Sequence, residues 1–328
     1  MKIVIPVAGA GAKLRPHTYT QPKPLIHLAG KTILSFIIDQ FIEAGQNDFI
    51  FIIGYLGDKI KNYVEEHYPQ INANFIVQEE RSGTGHAIYL TKEFIGENEE
   101  MLIVYGDTIC DFDLKEVLES KQSLLGVKKV DDPREFGVVE ITPEGIVKGV
   151  VEKPKIPMSN LALVGVYKIV ETKKMFDILE KENPSFNEEY HLTSILDSMQ
   201  ANGIQMGVFY VNNWFDCGKK ETLLETNAIL LSKVEYASEE IPFFDNTIII
   251  HPVSIAKDCE IENSIIGPNV TIGENAVIRN SMVTDSIIGS FSVLEKVVLH
   301  SSLIGSDAMV KGNSQSLNIG DNTEIDLR

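Results

Sequence analysis

Cysteine is scarce in this chain: three among 328 residues, Cys110, Cys217 and Cys259, with no paired metal-ligand spacing. Unpaired cysteines fit a reducing compartment, so the expected location is cytoplasmic. Positive charge is also short. There are 29 Lys and Arg against 47 Asp and Glu, a net charge of −18, which argues against a nucleic-acid partner. The acidity is spread along the chain and reads as solubility. No apolar run approaches membrane-spanning length, and a strand starting at Lys2 leaves no room for a signal peptide, so no membrane partner is expected. What remains is the composition of a globular protein, 44% hydrophobic and 23% charged, long enough for one large or two ordinary domains. A small anionic substrate stays compatible with the charge balance, provided a few cations or a metal sit locally.

The richest segment is residues 3–25, IVIPVAGAGAKLRPHTYTQPKPL. An apolar run short enough for a buried strand is followed by Gly9-Ala10-Gly11 and by Lys13, Arg15 and Lys23. Glycines off a strand leave backbone N–H groups open to an anion, and flanking cations suit a polyphosphate. This is a candidate triphosphate loop.

Two grammars divide the chain. To about residue 232, apolar runs at 48–54, 74–77 and 101–105 alternate with helical periodicity at 33–44, 58–68 and 85–94. That alternation predicts an α/β fold, a Rossmann-like mixed, mostly parallel sheet between helices, with ligands at the carboxyl ends of its strands. From Asn246 onward the fragments SIIG (264–267), SIIG (286–289), SLIG (302–305) and SLNIG (316–320) recur. Around them apolar residues stand six apart: Ile266, Ile272 and Ile278, then Ile288 and Leu294, then Ile304 and Val310. Six-residue spacing predicts a left-handed β-helix of hexapeptide repeats, with an antiparallel sandwich as the alternative. The domains are therefore expected at 1–234 and 246–328, with 235–245 as linker. Stacked coils leave flat faces and an open end, so a homo-oligomer through the β-helix is expected.

Several residues could carry chemistry. Asp107, in Gly106-Asp107-Thr108 after an apolar strand, is placed to hold Mg²⁺ against phosphate or simply to cap a turn. Asp216, in WFDCGK, has the same two readings. Gln78 offers an amide that can pair with an imide edge; Gly83 and Thr84, in GTGHA, follow, though Thr84 could equally be an N-cap. Glu152-Lys153, if extended, would send a carboxylate and an ammonium to opposite faces, one for a sugar hydroxyl and one for a phosphate. Gly137 could let a sugar ring approach the backbone.

In this order, the glycine loop with PKPL, then GTGHA, GDT, FGVV, VEKP and WFDCGK closely resembles the nucleoside-diphosphate-sugar pyrophosphorylases, or sugar-phosphate nucleotidyltransferases, over residues 1 to about 230. The nearest likeness is to the long-form glucose-1-phosphate thymidylyltransferase group. The resemblance implies transfer of a nucleotidyl group from dTTP or UTP to a sugar 1-phosphate, glucose 1-phosphate first among them. By the resemblance, Ala8, Gly9, Gly11, Lys13 and Lys23 would hold the nucleotide and the reacting phosphates. Gln78, Gly83 and Thr84 would read the base, and Asp107 and Asp216 would bind Mg²⁺. Gly137, Glu152 and Lys153 would hold the sugar phosphate, with Tyr167 and Trp214 beside them. Lys13, Lys23, Asp107, Lys153 and Asp216 would be the catalytic set.

One position departs from the family. Where members have Thr-Arg, this chain has Ala12-Lys13, and a lysine lacks the planar fork of arginine. Either Lys13 acts as a point charge or Arg15 takes part of the role. Two rival functions are weighed. A hexapeptide β-helix raises acyltransferase activity, with His300 as base but no recognisable partner for it. A non-catalytic regulatory or scaffold homologue is the other.

Overall fold

Apolar runs become the central strands of the sheet. The structure, a computed structural model, describes residues 1–80, 82–182, 190–233 and 241–312. The SLNIG fragment and residues 235–240 of the expected linker lie outside these. Phe49 to Ile53 and Met101 to Val104 are buried throughout, because these parallel strands are covered on both faces. The sheet runs in the order Val147–Glu152, Gly137–Ile141, Leu161–Ile169, Met101–Val104, Lys2–Pro6, Asp48–Ile53, Asn72–Val77. The last four strands are mutually parallel. Leu161–Ile169 joins antiparallel and also pairs with Ser123–Lys129, which carries Met206–Tyr210 as a parallel neighbour. The sheet is mixed, with the expected parallel order in the half that bears the glycine loop.

Strand alternation sorts the helices onto two faces. Val4, Ile50, Ile52 and Ile103 pack with residues of the helices Gly83–Tyr89, Thr172–Lys181 and Leu192–Ala201. On the opposite face Phe51 stacks on Phe75 at 5.3 Å, and Lys61 of the helix Gly57–His67 lies over the Phe75 ring. The helix Ile33–Glu43 starts where Thr32 Oγ1 accepts from Ser35 N–H at 3.0 Å, an ordinary N-cap. The helix expected at 85–94 begins two residues earlier and stops at Tyr89. There both the N–H and the hydroxyl of Thr91 bond back to the Ile88 carbonyl and close the turn.

Contacts divide the chain into two units, residues 1–26 with 31–223, and 27–30 with 224–328. Among its described residues the second unit holds three parallel sheets of four strands each. Each strand pairs with one 16 or 17 residues on, so four coils stack, an arrangement consistent with the left-handed hexapeptide β-helix. The six-spaced residues face inward: Ile266, Ile278 and Leu294 are fully buried, and Ile304 and Val310 pack on them from the last coil described. The serines of the repeated fragments have a role in stacking. Ser264 Oγ accepts from Ser281 N–H and Ser286 Oγ from Ser302 N–H, at 3.1 and 3.0 Å. Corners take left-handed backbone, and Asn or Asp occupies most of them, including Asn263, Asn269, Asn275 and Asp285. In the same unit Ala29 N–H donates to Asn227 Oδ1 and Thr271 Oγ1, so His27–Gly30 lies against the β-helix.

The three sheets differ on their outer surfaces. One is crossed by ion pairs, Arg279 with Glu260 and Glu262, and Lys311 with Glu295. Another presents a register-matched apolar column of Ile248, Ile265, Met282 and Val298, of which Val298 is 77% exposed. His300 does have partners: Nδ1 lies 3.0 Å from Thr284 Oγ1 and 3.4 Å from Asp285 Oδ2. The stacking of coils supplies them, since Thr284 is its register neighbour 16 residues earlier.

Candidate active site

Lys2–Pro6 and Met101–Val104 are adjacent parallel strands, so the loops that leave their carboxyl ends emerge side by side. One is the glycine loop. Gly11 adopts φ +61°, and a Cβ there would lie 2.9 Å from Thr18 Cγ2. Its carbonyl accepts from Thr18 Oγ1 and Leu14 N–H, each at 2.9 Å, which curls the loop into a short 3-10 turn at Ala12–Leu14. Ala8 is buried, while a Cβ at Gly9 would meet nothing within 4 Å, so the backbone there faces open space. Lys13 and Arg15 are exposed. Arg15 sits over the Tyr19 ring at 5.2 Å, whereas the charge of Lys13 acts on Asp216 and Glu135.

The other loop carries Asp107. Lys23 Nζ lies 2.5 Å from Asp107 Oδ2, with Lys23 mostly buried. Thr108–Asp111 then pairs antiparallel with Asn213–Asp216, placing Asp216 opposite Thr108, and Cys217 N–H donates to the Asp107 carbonyl. Burial first, and then the charge of Asp107, raise the Asp216 carboxyl above its ordinary value; Lys23, Lys13 and the Gly218 N–H act in the other direction. Two carboxylates that repel each other in a partly buried position are an oxygen-donor pair suited to a hard cation, and they fit Mg²⁺. Among the described residues no three His, Cys, Asp or Glu side chains gather as a metal cluster, so these two need further oxygens from a ligand.

The GTGHA loop packs on its neighbours. Gly83 has φ +89°, and a Cβ there would lie 2.3 Å from the Tyr190 carbonyl oxygen. Gly85 N–H donates to that carbonyl at 2.8 Å, and Thr84 Oγ1 accepts from Leu192 N–H at 3.0 Å. Gln78 is nearly buried; its amide nitrogen donates to the Gly83 carbonyl and meets His86 Nδ1, both at 3.1 Å. The amide is thereby oriented by the loop rather than left to swing.

Glu152 and Lys153 differ from the extended geometry expected. Lys153 has φ +41°, which ends the strand alternation, and its Nζ lies 3.6 Å from Glu152 Oε1. The two side chains lie together and not on opposite faces. Glu152 Oε2 also accepts from Thr193 Oγ1 at 3.1 Å, and Gly137 sits opposite Glu152 in the strand pair. Phe136, whose carbonyl accepts from Lys153 N–H, meets the Trp214 ring edge-on at 4.7 Å. Trp214 Nε1 is buried with no hydrogen-bond partner among the described residues. Tyr167 is only 2% exposed and lies behind Tyr105, at 5.8 Å between ring centres. Burial pushes the Tyr105 hydroxyl up to about 12. The charges of Glu152 and Asp107 push it the same way.

The segment Tyr190 to Thr193 ties the GTGHA loop to Glu152, and no spacing in the chain marks it for that role. Glu189, directly before it, lies outside the described residues.

The glycine loop, the acidic pair and the Glu152 cluster are thus carried on loops and strand ends of one sheet. Residues 2–233 match the nucleotidyl transferase family, and the chain belongs to it. It is 28% identical to the Haloferax volcanii low-salt glycan biosynthesis nucleotidyltransferase Agl11 and 26% identical to a Streptomyces antibioticus glucose-1-phosphate thymidylyltransferase, each over 100% of both chains. It is 36% identical to the bifunctional protein GlmU of Methanocaldococcus jannaschii, over 71% of this chain and 55% of that one, and so spans about half that relative's length. A solved UDP-glucose pyrophosphorylase holding UDP-glucose shares the fold, with a TM-score of 0.61 and 24% identity over 70% of this chain and 98% of its own. No helix among the described residues is long and apolar enough to cross a membrane.

Proposed function

We propose that the chain transfers a nucleotidyl group from dTTP or UTP to a sugar 1-phosphate, first of all glucose 1-phosphate, releasing pyrophosphate. The observation that carries this reading is the junction of the glycine loop with the acidic pair, through the 2.5 Å contact of Lys23 with Asp107. The attacking phosphate oxygen is already ionised near neutrality, so no general base is needed. The task is to hold two anions together and to neutralise charge at the α-phosphorus. Lys13 and Lys23 approach from the nucleotide side and Lys153 from the sugar-phosphate side. Asp107 and Asp216 are the residues that would hold Mg²⁺, which when bound would offset phosphate charge.

Base choice rests on Gln78. With its nitrogen committed to the Gly83 carbonyl, its oxygen is the remaining acceptor for the N3–H of uracil or thymine. Glu152, oriented by Thr193, would accept from a sugar hydroxyl. The neutral column Ile248, Ile265, Met282 and Val298 is the face we assign to homo-oligomer contact, because like-charged copies approach best where charge is absent.

The test is pyrophosphate release from each NTP with Mg²⁺ and a panel of sugar 1-phosphates, with an acyl-CoA arm beside it. Release with dTTP or UTP and glucose 1-phosphate supports the reading. Release with other sugar phosphates only corrects the substrate. Acyl transfer from acyl-CoA without pyrophosphate release would move the chemistry to His300, and neither activity would leave a scaffold.

A further inference from the structure

The WFDCGK motif ends in a lysine that the reaction as described does not use. Lys219 follows Asp216 by three residues, and its Nζ lies 2.9 Å from Glu135 Oε2. Glu135 comes from a distant loop, directly before Phe136, the residue packed on Trp214. Both partners are substantially exposed, at 47% and 64%. The pair does not stand alone. The charge of Lys13 reaches Glu135 and Asp216, and the charge of Asp216 reaches Lys219. Three chain segments thus bring two ammonium groups and two carboxylates together, next to the Lys23–Asp107 contact.

Asp216 is placed to hold a metal, but Glu135 has no such use. It faces two cations at the edge of an anion site, and its own loop leads to the sugar-phosphate residues Gly137 and Lys153. An ion pair this exposed is held only weakly, so it yields readily to a better anion. A polyphosphate carries several charges and more acceptor oxygens than one carboxylate, and is that better anion.

We propose that Lys219 is a second phosphate-gripping residue, held on Glu135 until the pyrophosphate moiety of the nucleotide displaces that carboxylate. Lys13 and Lys219 then hold the anion from two sides, two ammonium groups acting where the family's single guanidinium would. The proposal rests on the nucleotidyl-transfer reading and adds to it a residue and an exchange of partners. It also accounts for a lysine at position 13: the fork's second point of contact is supplied by another segment.

The test is calorimetric binding of inorganic pyrophosphate with Mg²⁺ to the full chain and to Lys219→Met, Lys219→Arg, Glu135→Gln and the Glu135→Gln/Lys219→Met pair. Lys219→Met should weaken binding about tenfold and lessen its salt dependence, and Lys219→Arg should restore most of it. Glu135→Gln should tighten binding about three- to tenfold, and that gain should shrink in the Lys219→Met background. In turnover, Lys219→Met should raise KM for the NTP more than it lowers kcat. Unchanged binding in Lys219→Met, with the wild type binding normally, overturns this proposal alone. An equal gain from Glu135→Gln with and without Lys219 overturns it too, since Glu135 would then act by plain repulsion or through Lys13. A wild-type chain that binds no pyrophosphate would overturn the nucleotidyl-transfer reading and this proposal with it.

Discussion

Lys23 Nζ and Asp107 Oδ2 lie 2.5 Å apart across 84 residues of sequence, and this contact joins the two loops to which the proposed chemistry is assigned. It is made because two parallel strands end side by side, one releasing the PKPL turn and the other the GDT turn. Asp107 is therefore shared: a cation from the glycine-loop segment pairs with it, and its charge also acts on Asp216.

Asp107→Ala removes both relationships. Mg²⁺-dependent pyrophosphate release should fall by about a hundredfold or more, as when a preorganised electrostatic group is lost at a reacting centre. Near-normal turnover would sink the assignment of the acidic pair.

Asp216 makes a pH prediction with a definite sign. Its folded value is raised above the ordinary 3.8, so between those two values the folded chain holds more protons than the unfolded chain. Stability therefore falls as pH rises through that window and stays lowered above it. In metal-free buffer, Asp216→Asn should melt higher than wild type at about pH 7, and the gain should fade towards about pH 4. Differential scanning calorimetry across that range reads it; a variant that melts lower at neutral pH contradicts it.

Arg15 is engaged on Tyr19 while the charge of Lys13 acts on Asp216, which supports Lys13 as the point charge of the proposed reaction. Lys13→Arg should raise kcat several-fold in the Lys219→Met background, because a planar fork can hold two phosphate oxygens, and less where Lys219 already supplies the second contact. Steady-state kinetics decide; an unchanged or lower kcat means the lysine is not a weakened arginine.

Gly83→Ala puts a Cβ 2.3 Å from the Tyr190 carbonyl at a φ of +89°. The expected loss is about 1–3 kcal/mol of stability, with a raised KM for the nucleotide as the GTGHA loop shifts. Thermal denaturation and nucleotide titration together separate these effects. An unshifted melting temperature would show that the Tyr190 segment moves away without cost.

Val298→Lys places a charge on the apolar column where exposure is greatest. Light scattering should report a smaller assembly with unchanged circular dichroism. An assembly that survives must use another face.

Much of this site could be read from the chain alone, and for identifiable reasons. Glycines at 9, 11 and 83 announce turns because their backbone geometry is local, and the six-residue spacing of Ile266, Ile272 and Ile278 announces a β-helix because each coil repeats it. The partners were harder. Glu152 and Lys153 were expected to diverge, and one left-handed residue brings them within 3.6 Å. His300 had no visible partner until stacking set it beside Thr284 and Asp285.

The sequence by itself determined the order of strands and helices, the change to hexapeptide repeats and the residue types that a two-anion reaction needs. Those are properties of local spacing and composition, which survive in one dimension. Only the tertiary structure decided which charges meet: Lys23 with Asp107, Lys219 with Glu135, Thr193 with Glu152. Each pair joins segments dozens of residues apart, and their meeting is fixed by sheet order and register, for which no local pattern stands in.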